Sequence, residues 1–406
     1  MKFIDGGVCA AKGFKAAGMH CGIRKDKSRF DLALIAADKL CSAAALYTTN
    51  KVKSAPIYVT KRHLENGVAQ AVIVNSGNAN ACVADGEETA IRMCKAAAGA
   101  LGINPHDVIV ASTGVIGQPL KVSAIEENAG TLASLLAADA AHATDAAKAI
   151  MTTDTFKKEY AVEFELGGKT VRLGGMTKGS GMISPSMATM LCFITTDAAI
   201  SSEMLEKALR DITDMTFNCV SVDGDTSTND TIAIMASGIA GNDEITSAGA
   251  DYETFKAALL EICTKLCRDM AKDGEGATKL LVCEVSNAVS VDAARTLAKS
   301  VINSSLVKTA FFGADANWGR ILCALGYADA PLTVEKVKIE LESPKGKILV
   351  CENGAGVDFS EELAKEILLE NEINILVDLH DGDASASAFG CDLSYDYVKI
   401  NGDYRT

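Results

Sequence analysis

The chain has 406 residues, of which 48% are hydrophobic and 23% are charged, and it contains only 6 prolines. This composition is typical of a globular protein with room for two or three hydrophobic cores, and it excludes a largely disordered chain. The formal net charge of −14 disfavours nucleic acid and anionic membranes as partners, because their phosphate groups favour clustered lysine and arginine. A cationic small molecule is compatible with this charge.

The cysteines and the N-terminal segment indicate the compartment. The 13 cysteines are scattered between Cys9 and Cys391, without the paired spacing of a zinc site or the density of a secreted disulfide scaffold. Residues 1–7 lack the apolar stretch of a signal peptide, and no run approaches the roughly 18 apolar residues of a membrane span. We therefore expect a cytoplasmic protein without a bound metal.

Hydrophobic periodicity predicts helices and strands mixed along the whole chain. Hairpin turns are predicted at 166–169 and 343–346, where Gly, Pro and Lys separate alternating runs. In chain order we predict helices around 86–101 and 124–151, a strand at 162–166, helices at 202–213, 255–270 and 289–301, a strand at 337–341, a helix at 360–370 and a strand at 373–379.

This mixture predicts an α/β (α+β layered) fold. We expect a large catalytic sandwich of β-sheets between helix layers over residues 1–280, followed by a smaller C-terminal α/β domain over residues 281–406. No repeat period or low-complexity linker marks the boundary between them.

Residues 178–196 form a glycine-rich loop that continues into an apolar, β-branched strand beginning at Thr189. A threonine hydroxyl is a poor nucleophile, but a free α-amine on the same residue can accept its proton. Such an amine titrates near pH 7.7–8.0, so that part of it is unprotonated in the cell. This chemistry requires a cut between Ala188 and Thr189. An ordinary loop entering a buried strand is the other interpretation, and on chemistry alone the commoner one.

Residues 178–191 resemble the self-cleavage signature of the ornithine acetyltransferase (glutamate N-acetyltransferase, ArgJ) family. The resemblance extends over essentially the whole chain, in the order of the family's segments. The further segments that carry it are 75–80, 112–117, 152–155, 223–230, 273–276, 315–320 and 401–406.

The resemblance implies a fold and a set of site residues. The implied fold is a large sandwich of sheets between helix layers with a smaller α/β domain, in agreement with the periodicity. Self-cleavage gives chains 1–188 and 189–406, and Thr189 is the nucleophile. The Thr113 hydroxyl and the Gly114 N–H form the oxyanion hole. Substrate contacts fall on Thr152, Lys178, Thr189, Glu275, Asn401 and Thr406, the last two on a C-terminal tail that returns to the active site.

Each of these residues also has an ordinary interpretation. Thr113 and Gly114 could merely end the strand that precedes them, and Glu275 could be an exposed loop acid. Lys178 could be a solvated loop cation, and Thr152 a polar residue at a helix end. Asn401 and Thr406 could belong to a frayed tail.

The activity that the resemblance implies is a ping-pong transfer of acetyl from N2-acetyl-L-ornithine to L-glutamate in arginine biosynthesis. No cofactor is expected, and acetyl-CoA is a candidate co-substrate, since some family members accept it. The family also implies an assembly of two cleaved protomers, with two α and two β chains.

Two other functions remain open at this point. An N-terminal-threonine amidohydrolase or aminopeptidase would share the nucleophile and deliver the acyl group to water. A non-catalytic amino-acid-binding protein would remain one uncut chain. A Ser-His-Asp hydrolase is not supported, because the five histidines are isolated and no GxSxG motif is present.

Competing motifs for phosphate and metal are incomplete. Residues 167–170 imitate the end of a phosphate-binding loop, but Glu163 stands where its first glycine is needed. Asp223-Gly224-Asp225 opens like a calcium loop, but Thr228 replaces the turn glycine and Ile234 replaces the closing glutamate. We expect neither a nucleotide nor a metal at these segments.

Overall fold

A computed structural model describes residues 1–184 and 190–403 of the chain. The chain divides into two compact units whose segments alternate along the sequence. The first unit contains the described residues of Met1–Gly179, Thr189–Asp214 and Thr226–Leu266, and the second those of Ser180–Ala188, Met215–Asp225 and Cys267–Thr406. The expected domain boundary at residue 280 stays a prediction.

The first unit is built on one sheet, to which nine strands contribute within the described residues. Its strands are β1 (Lys2–Ile4), β2 (Phe14–Met19), β3 (Leu32–Tyr47), β4 (Val68–Asn75), β5 (Val108–Ser112), β6 (Lys158–Leu166), β7 (Lys169–Lys178), β8 (Leu191–Thr196) and β9 (Thr231–Ala236). The strand order is β1-β6-β7-β8-β9-β3-β4-β5, and β2 pairs with β3 outside this path. The helices that accompany the sheet are α1 (Ala55–His63), α2 (Gly86–Leu101), α3 (Val122–Ser134), α4 (Ala140–Ala149), α5 (Ser202–Thr213) and α6 (Ala250–Lys272).

Both faces of this sheet are covered, as the continuous apolar run of β4 shows. Val72 and Val74 belong to a buried cluster that also contains alanines of α4. Ala71 and Ile73 point to the opposite face and join a cluster that contains Met93 of α2. Because successive strand residues face opposite sides, an apolar strand of this kind requires a hydrophobic layer on each. The sheet therefore lies between helix layers, as predicted.

The second unit has its own sheet and core. Its strands are β10 (Leu280–Ala288), β11 (Lys338–Ser343), β12 (Gly346–Glu352), β13 (Ala355–Gly356), β14 (Glu372–Asp378) and β15 (Ala384–Cys391), in the order β13-β12-β11-β14-β10-β15. Its helices are α7 (Val291–Asn303), α8 (Ser305–Phe312), α9 (Trp318–Gly326), α10 (Glu361–Leu368) and α11 (Tyr395–Gly402). The mixed α/β prediction is confirmed.

The local predictions agree with the structure except at one helix. The two hairpins are confirmed, since β6 pairs with β7 through Leu166 and Lys169, and β11 with β12 through Ser343 and Gly346. The single helical segment predicted at 124–151 is instead two helices, α3 and α4. Asp139 separates them because its carboxylate accepts the His142 N–H at 3.0 Å and begins α4 as an N-cap.

No helix in the described ranges is both long enough and apolar enough to cross a membrane.

The backbone of β7 approaches a neighbouring turn so closely that one position accepts no side chain. A Cβ atom on Gly174 would lie 1.9 Å from the carbonyl oxygen of Gly7. We expect Gly174→Ala to lower the free energy of unfolding by about 1–3 kcal/mol or more, because two backbone segments must separate. Urea unfolding measures this change.

Gly99→Ala is the matched control, since Gly99 lies within α2 and a Cβ there meets nothing within 4 Å. Alanine there should stabilise the protein by about 0.5–1 kcal/mol, because it favours the helix. A Gly174→Ala protein as stable as the wild type would contradict the close approach of the two segments.

Candidate active site

The predicted cleavage site lies outside the described residues, as do Ala188, Thr189 and Thr406. The chain is described again from Met190, which is buried and fixed at both of its backbone groups. Its N–H donates to Oδ1 of Asp230 at 2.9 Å, and its carbonyl accepts the N–H of Thr231 at 3.1 Å. The next residue begins β8, which pairs with β7 on one side and β9 on the other. The first residue after the predicted nucleophile therefore has a fixed position.

The segment before the predicted cut is held by a second aspartate, in the second unit. Asp223 accepts the Met182 N–H at 2.6 Å through Oδ2 and the Ile183 N–H at 2.8 Å through Oδ1. Met182 adopts a left-handed backbone with φ 55°, which is uncommon for a residue other than glycine. The carbonyl of Ile183 accepts the N–H of Val222 at 2.9 Å. The backbone groups of Met182 and Ile183 are thus fixed by hydrogen bonds to Asp223 and Val222.

Thr113 and Gly114 follow the end of β5, as predicted. Gly114 has φ +132°, and a Cβ atom there would lie 2.7 Å from the backbone nitrogen of Asn78. Only glycine fits this position. Among the described residues, neither the Gly114 N–H nor the Thr113 hydroxyl donates a hydrogen bond. Neither donor is used within the described part of the fold, and their role in an oxyanion hole stays a prediction.

Asn229 holds the end of β5 against a neighbouring loop. Its side-chain amide donates to the carbonyl oxygens of Ala79 and Ser112, each at 2.7 Å. The next residue, Asp230, binds Met190. Two consecutive side chains therefore connect the strand end that presents Thr113 with the chain that begins β8.

Asp230 is fully buried, and only one of its carboxyl oxygens has a hydrogen-bond partner among the described residues. Oδ1 accepts the Met190 N–H, whereas no group donates to Oδ2. Burial raises the pKa of Asp230 well above its usual range, although the charge of Lys178 acts in the opposite direction. The Met190 N–H and the hydroxyl groups of Thr48 and Ser227 also act against burial, but burial is the largest effect.

Lys178 and Thr152 meet at a buried aspartate that sequence reasoning did not select as a site residue. Asp154 accepts the N–H groups of Thr152 at 2.9 Å and Gly179 at 2.8 Å. Its carboxylate lies 2.7 Å from Nζ of Lys158 and 4.0 Å from Nζ of Lys178. Burial opposes its ionisation, but the two ammonium groups outweigh burial and hold the pKa of Asp154 well below its usual range. Lys178 is 4% exposed, so it is not a solvated loop cation.

Glu275 and Asn401 meet in the second unit. The Asn401 amide donates to Oε2 of Glu275 at 2.8 Å, and the Glu275 N–H donates to the carbonyl of Ser180 at 2.8 Å. A Cβ atom on Gly181 would lie 2.3 Å from the Glu275 carboxyl group. Glu275 is buried, which excludes an exposed loop acid, and Asn401 lies on α11 rather than on a frayed tail.

The structure thus groups the described site residues by unit: Thr113, Gly114, Thr152 and Lys178 in the first, Glu275 and Asn401 in the second. Sequence reasoning missed Asp154, Asn229 and Asp230, although each lies in a segment that carried the family resemblance. No group of three or more His, Cys, Asp or Glu side chains within residues 1–184 and 190–403 could hold a metal ion. The described site residues supply hydrogen-bond donors, buried carboxyl groups and buried ammonium groups.

The paired charges at Asp154 make a pH-dependent contribution to stability. We expect Asp154→Asn to lower the free energy of unfolding at pH 7 by about 3–5 kcal/mol, because two buried ammonium groups lose their carboxylate. Since the pKa of Asp154 is lowered by folding, its contribution is complete above the unfolded value of about 3.9. The difference between variant and wild type should therefore shrink as the pH falls below that value, in urea titrations at several pH values.

Asp38→Asn is the control, because Asp38 forms an exposed ion pair with Lys15. Its loss should cost at most about 1 kcal/mol. Equal effects of the two substitutions at pH 7 would show that Asp154 is not a buried charge centre.

Comparison with known proteins identifies the family. The model of the ArgJ family matches residues 15–406. The arginine biosynthesis bifunctional protein ArgJ of Caldanaerobacter subterraneus subsp. tengcongensis is 49% identical, over 100% of both chains. The protein of that name from Symbiobacterium thermophilum is 48% identical, again over 100% of both chains. A crystal structure of the Bacillus halodurans ArgJ protein has 45% identity and a TM-score of 0.50, over 52% of this chain and 97% of the solved chain. The family that the sequence motifs indicated is confirmed: this chain belongs to the ArgJ family.

Proposed function

We propose that this protein transfers the acetyl group of N2-acetyl-L-ornithine to L-glutamate in arginine biosynthesis, through an acetyl-threonine intermediate. Its membership of a family named for arginine biosynthesis supports the pathway. The observation that carries the mechanism is the connection through Asn229 and Asp230. It links the strand end bearing Thr113 and Gly114 to the residue that follows Thr189.

Self-cleavage is the first step of the proposal. Thr189 Oγ attacks the carbonyl carbon of Ala188, the amide C–N bond breaks, and the hydroxyl proton is transferred to the departing nitrogen. Water then hydrolyses the resulting ester and restores the Thr189 hydroxyl. The products are chains 1–188 and 189–406, the second of which begins with a free α-amine.

Acetyl transfer follows in two half-reactions. The Thr189 amine takes the hydroxyl proton while Oγ attacks the acetyl carbonyl, and the Thr113 hydroxyl and Gly114 N–H donate to the developing oxyanion. The tetrahedral intermediate collapses to an acetyl ester on Oγ, and ornithine leaves with the proton on its α-nitrogen. The amine of glutamate then attacks the ester, and N-acetylglutamate departs while the proton returns to Oγ.

The substrate charges have partners of opposite sign among the predicted residues. Lys178 carries a buried positive charge that would attract the carboxylate of an N-acetylated amino acid. Glu275 carries an acidic group, positioned by Asn401, that would pair with the side-chain ammonium of ornithine. Thr152 lies beside Asp154 and would contribute to the same anion-binding region.

The length of the solved relative supports the cut. The Bacillus halodurans chain is matched over 97% of its own length but covers only 52% of this chain. It is therefore little more than half as long as this chain. A cut before Thr189 would leave 189–406 as a fragment of just that relative length.

Four further features belong to the proposal. The enzyme acts without a bound cofactor and takes acetyl-CoA as an alternative acetyl donor, in keeping with the word bifunctional in its relatives' names. Two cleaved protomers assemble, and the protein works in the cytoplasm, where its thiols stay reduced.

Mass spectrometry of the purified protein tests the nucleophile. We expect two fragments divided between Ala188 and Thr189, and a gain of one acetyl group on the second after incubation with N2-acetylornithine. Thr189→Ala should remain one uncut chain and form no acetyl adduct, because the nucleophile is absent. Thr254→Ala, which alters an exposed helix threonine, is the control and should be cut and acetylated normally.

The fate of the acetyl group separates this proposal from its alternatives. Transfer to glutamate supports it, whereas release of acetate that glutamate does not alter indicates an amidohydrolase. An uncut chain that binds amino acids without reaction would exclude both enzymes.

Steady-state kinetics test the role of Glu275. We expect Glu275→Gln to lower kcat/KM for N2-acetylornithine by about 10–100-fold, because an ammonium loses its carboxylate partner. The loss should be smaller for an analogue with an uncharged side chain. Glu284→Gln, at an exposed position of β10, is the control. Unchanged discrimination between the two substrates would contradict the assignment.

A further inference from the structure

Two segments of the second unit contact Glu275, and each restricts its carboxyl group. The first is the segment 180–183. Its Ser180 carbonyl accepts the Glu275 N–H at 2.8 Å, and a Cβ atom on Gly181 would lie 2.3 Å from the carboxyl group. The second is α11, from which the Asn401 amide donates to Oε2 at 2.8 Å. Glu275 is only 8% exposed, so the direction of its carboxyl group decides which ligand group can meet it.

Polar side chains hold α11 in place. The structure describes all eight residues of this helix, and none of them is buried. A helix of this length is marginal in water by itself, so its position depends on what its side chains contact. Its polar contacts come from Ser394, Tyr397 and Asn401, whose spacing of three and four residues places them on one face.

The start of α11 lies directly on the loop that carries Glu275. The hydroxyl of Ser394, the N-cap of the helix, donates to the carbonyl of Gly276. Gly276 has φ +70°, and a Cβ atom there would lie 2.5 Å from the backbone nitrogen of Tyr397. Only glycine permits this approach, so helix and loop are in backbone contact.

The side chain of Tyr397 connects α11 to the other segment that contacts Glu275. Its hydroxyl donates to Oδ2 of Asp223 at 3.3 Å. The same oxygen accepts the Met182 N–H at 2.6 Å, and Oδ1 accepts the Ile183 N–H at 2.8 Å. One carboxyl group therefore joins α11 to the segment 180–183.

We propose that Tyr397 is a positioning residue for the recognition of a cationic side chain. Through Asp223 it fixes α11 against the segment 180–183, and Asn401 then holds the Glu275 carboxyl group in the direction that meets an ammonium. The inference rests on the proposed function, because it takes Glu275 as the partner of the ornithine ammonium. It goes further by assigning part of the substrate preference to a residue that acts through Glu275 and not on the substrate.

Kinetics with two substrates test this role. N2-acetylnorvaline has the carbon chain of N2-acetylornithine without the side-chain ammonium, and Tyr397→Phe removes only a hydroxyl. We expect this variant to raise KM for N2-acetylornithine by about 3–10-fold, the effect of one lost hydrogen bond, with kcat within about twofold. KM for N2-acetylnorvaline should change by less than about twofold, since this substrate offers Glu275 no charge.

Tyr395→Phe is the matched control, because it makes the same substitution on the same helix. Tyr395 is exposed, and its ring contact with Phe312 does not need the hydroxyl. This variant should keep the wild-type constants for both substrates. The ratio of the two kcat/KM values does not depend on the folded fraction of a preparation, so a loss of stability alone cannot change it.

A double-mutant cycle with Glu275→Gln tests whether the hydroxyl acts through the carboxyl group. In the Glu275→Gln background, Tyr397→Phe should alter kcat/KM for N2-acetylornithine by less than about twofold. An undiminished effect in that background would overturn the proposal, because the hydroxyl would then act by another route.

The other outcomes are equally decisive. A ratio of kcat/KM values that is unchanged in Tyr397→Phe, or changed as much in Tyr395→Phe, would overturn the positioning role. A wild type without preference for N2-acetylornithine would remove the role of Glu275, and this inference with it. A wild type that is neither cut nor acetylated defeats the proposed function itself, whereas an active, selective wild type with an indifferent Tyr397 defeats only this inference.

Discussion

The hydrogen bonds from Asn229 and Asp230 are the constraint on which the site depends. These two consecutive side chains hold the end of β5 and the beginning of β8, so the strand end before the predicted oxyanion hole and the residue after the predicted nucleophile are fixed by neighbouring side chains. Neither strand end could shift alone without breaking a buried hydrogen bond, which costs more than an exposed one. Met190 and the end of β5 are therefore held by hydrogen bonds at the ends of paired strands.

Two buried aspartates of the first unit, Asp154 and Asp230, differ in their charged neighbours. Around Asp154, two lysines keep a buried carboxylate ionised, and one of them, Lys178, belongs to the predicted substrate contacts. At Asp230, burial outweighs the same lysine and raises the pKa of the carboxyl group well above its usual range. The pKa values of these two buried aspartates thus shift in opposite directions, because at Asp154 the Lys158 ammonium at 2.7 Å and that of Lys178 together outweigh burial. Local partners, and not the net charge of −14, determine the electrostatics here.

The sequence predicted many of the strands and helices. The features that it did not predict can each be explained in physical terms. Alternation at period 2 located β6, β11 and β14, because each has one face that is more buried than the other. The break between α3 and α4 was missed, since alanine favours a helix on both sides of the Asp139 cap. Asp154 and Asp230 were not selected because burial and charge partners are products of tertiary structure. The roles of Thr113, Gly114, Lys178 and Glu275 stay predictions, as does the cut at Thr189.

The position of β8 and β9 has a consequence for a molecule whose backbone is severed before residue 189. Within the first sheet, β8 hydrogen-bonds to β7, and β9 hydrogen-bonds to β3. The adjacent strands β8 and β9 would then belong to the fragment that begins at residue 189. Their outer neighbours, β7 and β3, would belong to the fragment that ends at residue 188. Such fragments are interleaved within the first sheet, and neither contains all of its strands. Their separation would require this sheet to come apart, so the severed bond could be lost without loss of the sheet, and β8 and β9 would depend on strands of the other fragment for their pairing.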